Sequence, residues 1–414
     1  MTPAVVFVTG RDPEQAQVCS HTSYVRTHAR AAVQAGYDAH VLCLAREART
    51  QATDYGSVTA APTGFSMVRQ NMISSHSPAL AQALAQLVRS LGRREVILHG
   101  FGVWGHAVIQ ADARLRESGG PGCPRLLGSY TTYLDESESQ WRGLSPADGP
   151  RAYARFALEQ AWIRSVVVGY ERRAYRGADL VLVNYRAVQR LIEARFGAVV
   201  RCRVVPYTIE QALMQSAEAP PRRQAGDRPP TILCIARHDP RKGVDVLLRA
   251  LAILARAGLQ FRAQLVGAEG ALLDAHRRLA AALGLAGLVD IPGRVPSVDA
   301  YLAEADIFVL PSREEQSGSL ALIEAMQAGV ACVATACDGI PEDVRDGEDA
   351  LLAPPDDAPG LARQIATLVT DPARRAQLAL AARRVFETRF SPQGFVAALD
   401  AVYQDALARD AACA

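Results

Sequence analysis

Short apolar runs alternate with segments of helical periodicity along almost all of this 414-residue chain. Alternation of this kind is typical of parallel sheets whose two faces are covered by helices. A chain of this length exceeds what one ordinary hydrophobic core accommodates, so two domains are expected. The sequence therefore predicts an α/β protein with two Rossmann-like, doubly wound domains that face each other across a cleft.

A segment rich in proline and charge, residues 216–230, interrupts the alternation just past the midpoint. It lacks apolar periodicity, which is typical of a linker between domains. We therefore predict a first domain at residues 1–215 and a second at residues 231–388. Residues 389–414 have an amphipathic helical pattern and follow a domain that is already complete, so this helix is predicted to return to the first domain.

The composition is that of a soluble globular protein, with 49% apolar and 21% charged residues. No apolar run reaches the roughly 18 residues that span a bilayer, and residues 1–8 are predicted to enter a core strand instead of forming a signal peptide. The 8 cysteines are scattered, and Cys43, Cys234 and Cys332 lie within apolar runs. They are predicted to be small core residues of a cytoplasmic protein, with no metal site.

Charge is distributed unevenly between the two halves of the chain. Residues 1–215 carry 24 arginines against 17 carboxylates, a balance of +7, whereas the whole chain has a net charge of only +2. A basic first half predicts an anionic partner, either a membrane surface contacted peripherally or an acidic acceptor. Ordinary solvated helix faces explain the same numbers equally well. No interleaving of aromatic and basic residues on a strand accompanies the charge, so nucleic acid is not expected as a partner.

Lys242 is the only lysine in the chain, beside 44 arginines. It lies in the segment 237–243, which directly follows the apolar run 232–236. Loops that follow strands are where α/β proteins bind anionic ligands, and lysine enters narrower phosphate pockets than the planar guanidinium of arginine. Arg237 and Lys242 are therefore predicted to contact a diphosphate. The alternative is that one lysine survives by chance on a solvated loop.

Other strand ends also carry residues suited to a ligand. Gly267 and the turn before Val295 follow predicted strands, where glycine permits the close approach of a ligand or simply forms a turn. Farther along, a short polar segment begins an apolar helix, and free backbone amides at a helix N-terminus bind phosphate. Glu324 lies one to two turns into that helix, and its carboxylate is predicted to bind vicinal hydroxyls such as those of a ribose. The residues predicted to supply the amides are Ser317, Gly318, Ser319 and Leu320.

In this order the motifs resemble those of the family 4 retaining glycosyltransferases, whose two Rossmann-like domains form the GT-B fold. The resemblance covers residues 231–414, whereas in the first half it depends on the order of elements and on residues 177–184. The matching motifs are Arg237 with Lys242-Gly243, Val266-Gly267, Gly293-Arg294-Val295, Ala305-Asp306 with Pro311-Ser312, Gly339-Ile340-Pro341-Glu342, and Asp346-Gly347 before Pro354-Pro355-Asp356.

This resemblance implies a sugar transfer from a nucleotide-diphosphate sugar to an acceptor hydroxyl, with retention at the anomeric carbon. The first domain would bind the acceptor, and the second would bind the donor with a contribution from Gly10. A UDP-sugar is the favoured donor and a GDP-sugar the alternative, with no cofactor. The acceptor would be a carbohydrate, a lipid-linked sugar or a small molecule, and the enzyme would be cytoplasmic or peripheral on the inner membrane face.

The chain departs from the family pattern at two places. At the position of the first of two family glutamates stands Gln316, so that either Gln316 or the preceding Glu315 would contact the donor sugar; charge favours Glu315. The His-Asp pair of the acceptor side is also absent, since residues 129–135 follow the fourth strand instead. The residues predicted for the acceptor side are His99, Tyr130 and Asp135.

The predicted chemistry is electrostatic. Arg237, Lys242 and the amides at the helix start would stabilise the charge that develops on the leaving diphosphate. A metal ion would be redundant, and the resemblance implies that the leaving phosphate itself takes the acceptor's proton. The departures at Gln316 and at residues 129–135 leave a second interpretation open, a nucleotide-sugar-binding protein or partner subunit with weak catalysis. An epimerase or a phosphorylase of the same fold is a third.

Overall fold

The computed structural model describes residues 2–14, 20–62, 73–92, 95–120, 122–141, 150–197, 201–210, 228–267, 270, 272–316 and 318–413. The chain divides into two compact units. The first consists of Met1–Glu138, Leu144–Gln215 and Pro392–Ala414, and the second of Ser139–Gly143 and Ser216–Ser391. Among the described residues, no helix is both long and apolar enough to cross a bilayer.

In the first unit the described strands form one sheet of eight, in the order β3-β4-β2-β1-β5-β6-β7-β8. All neighbours are parallel except β3 and β4. The central strand β1 has five buried residues, because strands between two helical layers are apolar on both faces. The strands are β1 (Ala4–Val8), β2 (Asp38–Ala45), β3 (Arg49–Thr53), β4 (Gly56–Pro62), β5 (Val96–Phe101), β6 (Arg125–Gly128), β7 (Leu180–Val183) and β8 (Cys202–Val204).

Helices connect these strands, and the last helix of the chain packs on the same unit. Tyr37 donates a hydrogen bond to Asp400 of that last helix at 2.8 Å, and Phe395 contacts the ring of His28. The helices are α1 (Ser20–Gln34), α2 (Ile73–Ser90), α3 (Gly105–Glu117), α4 (Tyr133–Trp141), α5 (Pro150–Trp162), α6 (Val168–Gly177), α7 (Arg186–Phe196) and, at the end of the chain, α15 (Pro392–Cys413). A π-helical turn, Ile163–Val167, joins α5 to α6.

Two elements of the first unit are absent from the sequence prediction. The first is the β3–β4 hairpin, whose tight turn is held by a hydrogen bond from Thr53 Oγ1 to Gly56 O at 2.8 Å. Gly56 has φ +111°, a conformation that favours glycine. The short, largely polar β3 lies at the edge of the sheet and so lacks the apolar run by which strands are recognised. The second is α4, whose two acidic residues in the first turn suit a helix N-terminus.

In the second unit the described strands form one sheet of six parallel strands, in the order β11-β10-β9-β12-β13-β14. The short β14 was not predicted from the sequence. The helix after β9 presents an apolar stripe to this sheet, since Val244, Leu247, Leu251 and Leu254 are all at most 1% exposed. The strands are β9 (Thr231–Ile235), β10 (Arg262–Val266), β11 (Val289–Gly293), β12 (Ile307–Leu310), β13 (Ala331–Thr335) and β14 (Leu351–Ala353).

The helices of the second unit cover both faces of its sheet. They are α8 (Val244–Arg256), α9 (Leu273–Ala282), α10 (Asp299–Glu304), α11 (Leu320–Gln327), α12 (Ile340–Asp343), α13 (Ala358–Thr370) and α14 (Pro372–Val385). Two sheets of mostly parallel strands with helices confirm the predicted α/β fold class. Cys43, Cys234 and Cys332 are at most 1% exposed, which confirms that they are core residues.

Candidate functional site

The carboxyl ends of the parallel strands in the second unit share one edge of the sheet. The loop after β9 contains Arg237 and Lys242, and the loops after β10, β11, β12 and β13 lie along the same edge. Open parallel sheets bind ligands at this edge, because helices begin there and leave backbone amides unpaired. This edge therefore collects most of the residues predicted from the sequence to bind a donor.

Two glycines allow the loops to approach one another closely. Gly243 has φ +61°, and a Cβ there would lie 2.0 Å from the carbonyl oxygen of Pro311. At Gly267 a Cβ would lie 1.8 Å from the carbonyl oxygen of Ala236. Any larger residue would therefore push the loop after β9 away from its neighbours after β12 and β10.

Lys242 forms an ion pair with Glu315, between its Nζ and Oε1 atoms. The Glu315 side chain is 3% exposed and that of Lys242 is 15% exposed, so water screens the pair little. Ser312 Oγ donates to the same Oε1 atom at 2.7 Å. The structure therefore directs the Glu315 carboxylate toward the lysine and the serine within the loop.

The loop that carries Glu315 is fixed by further hydrogen bonds. The backbone amide of Glu315 donates to Asp338 Oδ2 at 2.6 Å, and Thr335 Oγ1 donates to the carbonyl oxygen of Ser312. Both partners lie at or after the end of β13. Lys242, Glu315 and Asp338 thus connect the ends of β9, β12 and β13 in one network.

Arg313 is a structural residue of this site that sequence reasoning missed. Its guanidinium forms hydrogen bonds of 2.9 Å with both carboxylate oxygens of Asp245 and one of 2.5 Å with Asp356. Its backbone amide donates to the carbonyl oxygen of Arg241 at 2.7 Å. These hydrogen bonds, which raise the pKa of Arg313 further, hold the loop after β12 against the loop after β9. No local motif marks such a residue, because its partners are distant in the sequence.

Arg237 is the more accessible cation of the site. Its side chain is 46% exposed and lies 3.1 Å from Asp239. Exposed ion pairs contribute little to stability, so this guanidinium can exchange its partner for an anionic ligand at small cost. Arg237 is therefore open to solvent, whereas Lys242 is held inside the network.

The start of α11 has the geometry expected for anion binding. Ser319 caps the helix by accepting a hydrogen bond from the amide of Leu322 at 3.3 Å. Gly318 has φ +74°, and its amide donates to Glu315 O. Leu320 is the first residue of the helix, while the predicted contact Ser317 lies outside the described residues.

Glu324 lies in the second turn of α11 and is partly buried. Burial, together with a smaller effect of the negative charge of Asp299, raises the pKa of its carboxyl to about 7. In the described part of the chain, no arginine, lysine or histidine forms an ion pair with Glu324. A desolvated carboxylate of this kind gains from hydrogen-bond donors such as ligand hydroxyls. Gln316 and Val295, the other predicted donor contacts on this edge, are partly buried.

A pair of buried histidines joins the loop after β9 to α9. His238 Nδ1 is 2.9 Å from His276 Nδ1 of α9, and the two side chains are 1% and 2% exposed. Burial lowers the pKa of His238 to about 4 and also lowers that of His276. Both rings are therefore neutral at pH 7, and one donates its Nδ1 hydrogen to the other. The sequence prediction did not include this pair.

In the first unit, two of the predicted acceptor-side residues meet at one histidine. His28 donates its Nδ1 hydrogen to the carbonyl oxygen of Tyr24 at 2.8 Å, so its Nε2 accepts from Tyr130 OH at 2.9 Å. The ring of His99 lies 5.4 Å from that of His28, and its Nδ1 is 3.0 Å from Tyr403 OH of α15. Burial lowers the pKa of both histidines, that of His28 to about 4.

His28 is a buried residue that the sequence analysis did not include among the acceptor-side candidates. Its side chain is 2% exposed because this face of α1 packs against β5 and α15. His99 is fully buried as well, so its ring offers no exposed surface to an acceptor. Tyr130 is partly buried and is the member of this group nearest to solvent.

Asp135 and Gly10 have structural neighbours of their own. Arg195 binds Asp135 with its Nε atom 2.5 Å from Oδ2, and Thr132 Oγ1 donates to the same oxygen. A Cβ at Gly10 would lie 2.0 Å from the Trp104 ring, so glycine is required after β1 whatever ligand is bound. The Asp135 carboxylate is thus engaged in an ion pair within the first unit.

Two known protein families match this chain, one in each half. The family described as Glycosyltransferase Family 4 matches residues 22–212, and the family described as Glycosyl transferases group 1 matches residues 229–371. The chain is 34% identical over 166 residues to a GDP-mannose-dependent alpha-(1-6)-phosphatidylinositol monomannoside mannosyltransferase of Mycolicibacterium smegmatis, covering 38% of this chain and 43% of that protein. It is 36% identical over 177 residues to an amylovoran biosynthesis glycosyltransferase of Erwinia amylovora, covering 41% of this chain and 43% of that protein.

The chain therefore matches less than half the length of these two relatives. A solved structure, sucrose-phosphate synthase from Thermosynechococcus elongatus, matches 98% of this chain and all of its own length, with a TM-score of 0.73 and 19% identity. At this level of sequence identity, the similarity shows a shared fold and nothing about function. With both family regions present in order and the two-sheet fold shared with a solved glycosyltransferase, the chain belongs to the family 4 glycosyltransferases of the GT-B fold.

Proposed function

We propose that this protein transfers a sugar from a nucleotide-diphosphate sugar to an acceptor hydroxyl, with retention at the anomeric carbon. The observation that carries the proposal is the Lys242–Glu315 pair at the strand edge, next to the start of α11. A buried network of this kind holds one ammonium in a fixed place. Such preorganisation is what stabilises charge that develops during a reaction.

The donor would lie along this edge of the second unit. Arg237, Lys242 and the amides at the start of α11 would bind the diphosphate, and Glu324 would accept hydrogen bonds from the ribose. An ammonium has three N–H donors, so Lys242 can keep its bond to Glu315 while it donates to a phosphate oxygen. Glu315 would then act as a positioning residue for Lys242. Backbone contacts at Gly267 and Val295 would complete the donor site on this unit.

Catalysis would consist of stabilising the leaving diphosphate. Negative charge increases on its oxygens as the bond to the anomeric carbon breaks, and Lys242 and Arg237 are the cations placed to meet it. The leaving phosphate would take the proton of the acceptor hydroxyl, so the proposal requires no protein base and no metal ion. Turnover unchanged by a chelating agent is the expected result.

The proposal leaves two donors to compare. Charge and motif do not separate a UDP-sugar, favoured in the sequence analysis, from a GDP-sugar. A relative with 34% identity is named for its use of GDP-mannose, which supports testing GDP-mannose first among GDP-sugars. The proposed acceptor is a carbohydrate or a lipid-linked sugar, bound by the first unit near Tyr130, and the enzyme would be cytoplasmic.

A thermal-shift scan over UDP, GDP, ADP and their sugars tests the donor, and nucleotide release with and without acceptors tests transfer. The expected result is stabilisation by one nucleotide family and release that an acceptor accelerates. Stabilisation without any release would favour the second candidate, a nucleotide-sugar-binding protein with weak catalysis, for which Gln316 in place of a family glutamate is the supporting observation. No stabilisation by any nucleotide would overturn both.

A further inference from the structure

Exposed apolar side chains are concentrated on α5. Large hydrophobic residues that are exposed in the described part of the chain number six, and three of them lie on this one helix. Leu158 is 74% exposed and Trp162 is 44% exposed. Single exposed apolar residues are ordinary, but a cluster on one helix indicates a surface that binds a membrane or another molecule. The six residues are Val33, Tyr153, Leu158, Trp162, Ile253 and Leu380.

Arginines share the outer face of α5 with two of its exposed apolar residues. Arg151, Arg155, Leu158 and Trp162 follow the spacing i, i+4, i+7 and i+11, which places them in one stripe. All four are exposed, whereas Gln160 on the opposite side of the helix is 6% exposed. We call these four residues the α5 stripe. The helix therefore turns polar Gln160 inward and exposes leucine and tryptophan, the reverse of an ordinary surface helix.

The sequence around the α5 stripe is rich in positive charge. Within the described residues, neither Arg151 nor Arg155 forms an ion pair. Residues 150–177 contain 6 arginines and 2 glutamates. One of these is Glu171, which is 1% exposed and whose carboxyl has its pKa raised to about 8 by burial. The surface along α5 and α6 is thus positively charged at neutral pH.

We infer that the α5 stripe is a docking surface for a lipid bilayer with anionic headgroups. Leu158 and Trp162 would enter the interfacial region, where tryptophan is favoured, while Arg151 and Arg155 would pair with lipid phosphates. A second copy of the chain is a poorer occupant, since a symmetric contact would bring together two copies of the same positively charged face. This inference names a surface that the proposed sugar transfer does not require.

Cosedimentation of the full chain with lipid vesicles tests it. The chain is expected to bind vesicles that contain phosphatidylglycerol and not vesicles of phosphatidylcholine alone. Leu158→Ser with Trp162→Ser should weaken binding by at least about tenfold, given the apolar surface lost. Arg151→Gln with Arg155→Gln should weaken it by about fivefold for each arginine. Leu380→Ser, on an exposed leucine of α14, should leave binding unchanged.

The decisive comparison is between the α5 variants and Leu380→Ser, with the melting temperature of each measured to confirm folding. Equal binding by all variants, or no binding of the unaltered chain to anionic vesicles, would overturn the inference. Sedimentation velocity tests the alternative, in which the stripe binds a second copy of the chain. A dimer of the unaltered chain that Leu158→Ser dissociates would assign the stripe to self-association, and it would equally overturn the assignment to lipid.

Discussion

Lys242 and Glu315 form an ion pair across 73 positions of the sequence, joining the loop after β9 to the loop after β12. The only lysine of the chain is thereby held beside the start of α11. Because the carboxylate is only 3% exposed, the fold fixes the positions of both side chains.

Lys242→Ala is expected to slow turnover by about 10²–10³-fold, the usual effect of losing one donor to a developing negative charge. Lys242→Arg should be impaired as well, because a planar fork does not fit the place of an ammonium between Glu315 and the ligand. Steady-state rates with saturating donor measure both. Arg256→Ala, on an exposed position of α8, is the matched control. Near-normal turnover in Lys242→Ala would refute the phosphate assignment.

Glu315→Ala should lower the transfer rate more than Gln316→Ala. Its carboxylate forms the ion pair that positions Lys242. The double variant Lys242→Ala/Glu315→Ala should be little worse than either single one, since residues acting as a unit are not additive. Nucleotide affinity and transfer rate are measured separately. A transfer defect confined to Gln316→Ala would instead place the sugar contact at that residue.

Nucleotide affinity should increase with pH through the ionisation of Glu324. A carboxyl with a pKa of about 7 is about one-tenth ionised at pH 6 and nine-tenths at pH 8, which predicts an increase of about tenfold if the ribose binds the carboxylate. Terminal phosphates also titrate near pH 6, so Glu324→Gln is measured in the same buffers by calorimetry. The difference between the two proteins should grow from pH 6 to pH 8. A constant difference would remove Glu324 from the ribose site.

His276→Ala should weaken donor binding through the loop that carries Lys242. Leaving His238 Nδ1 without its partner costs about 1–3 kcal/mol, and KM for the donor should rise more than kcat falls. Both histidine pKa values are lowered in the folded state, so stability is retained above about pH 6.5 and decreases as pH falls toward 4. His276→Ala should reduce this slope in urea unfolding. Arg278→Ala, exposed on the same helix, serves as control, and an unchanged KM would contradict the positioning role.

Glu171→Gln should stabilise the first unit at neutral and alkaline pH. Burial raises the pKa of this carboxyl to about 8, so the unfolded state releases its proton from about pH 4.5 upward while the folded state keeps it. The free energy of unfolding therefore falls as pH rises from about 4.5 to 8. Glutamine keeps the acceptor for the Tyr133 amide, which donates to Glu171 Oε1 at 2.8 Å. The urea midpoint of Glu171→Gln should exceed that of the unaltered chain by a margin that grows up to pH 8, with Glu117→Gln as control.

Much of the fold could be predicted from local patterns. The apolar run of β7 and the helical period of α13 are visible in the sequence itself, because each depends on residues close together in the chain. The β3–β4 hairpin escaped prediction since its strands are held by pairing with one another and with β2, not by apolar runs of their own.

The sequence by itself determined the fold class, the family and the motifs along the strand edge of the second unit. Only the tertiary structure decided which of these residues meet. It paired Glu315 with Lys242, placed Arg313 against Asp245, and buried His28 among aromatic rings. Periodicity and capping act between near neighbours, so a sequence displays them directly. An ion pair or a buried histidine depends on strand order and on the packing of distant segments, which no local pattern contains.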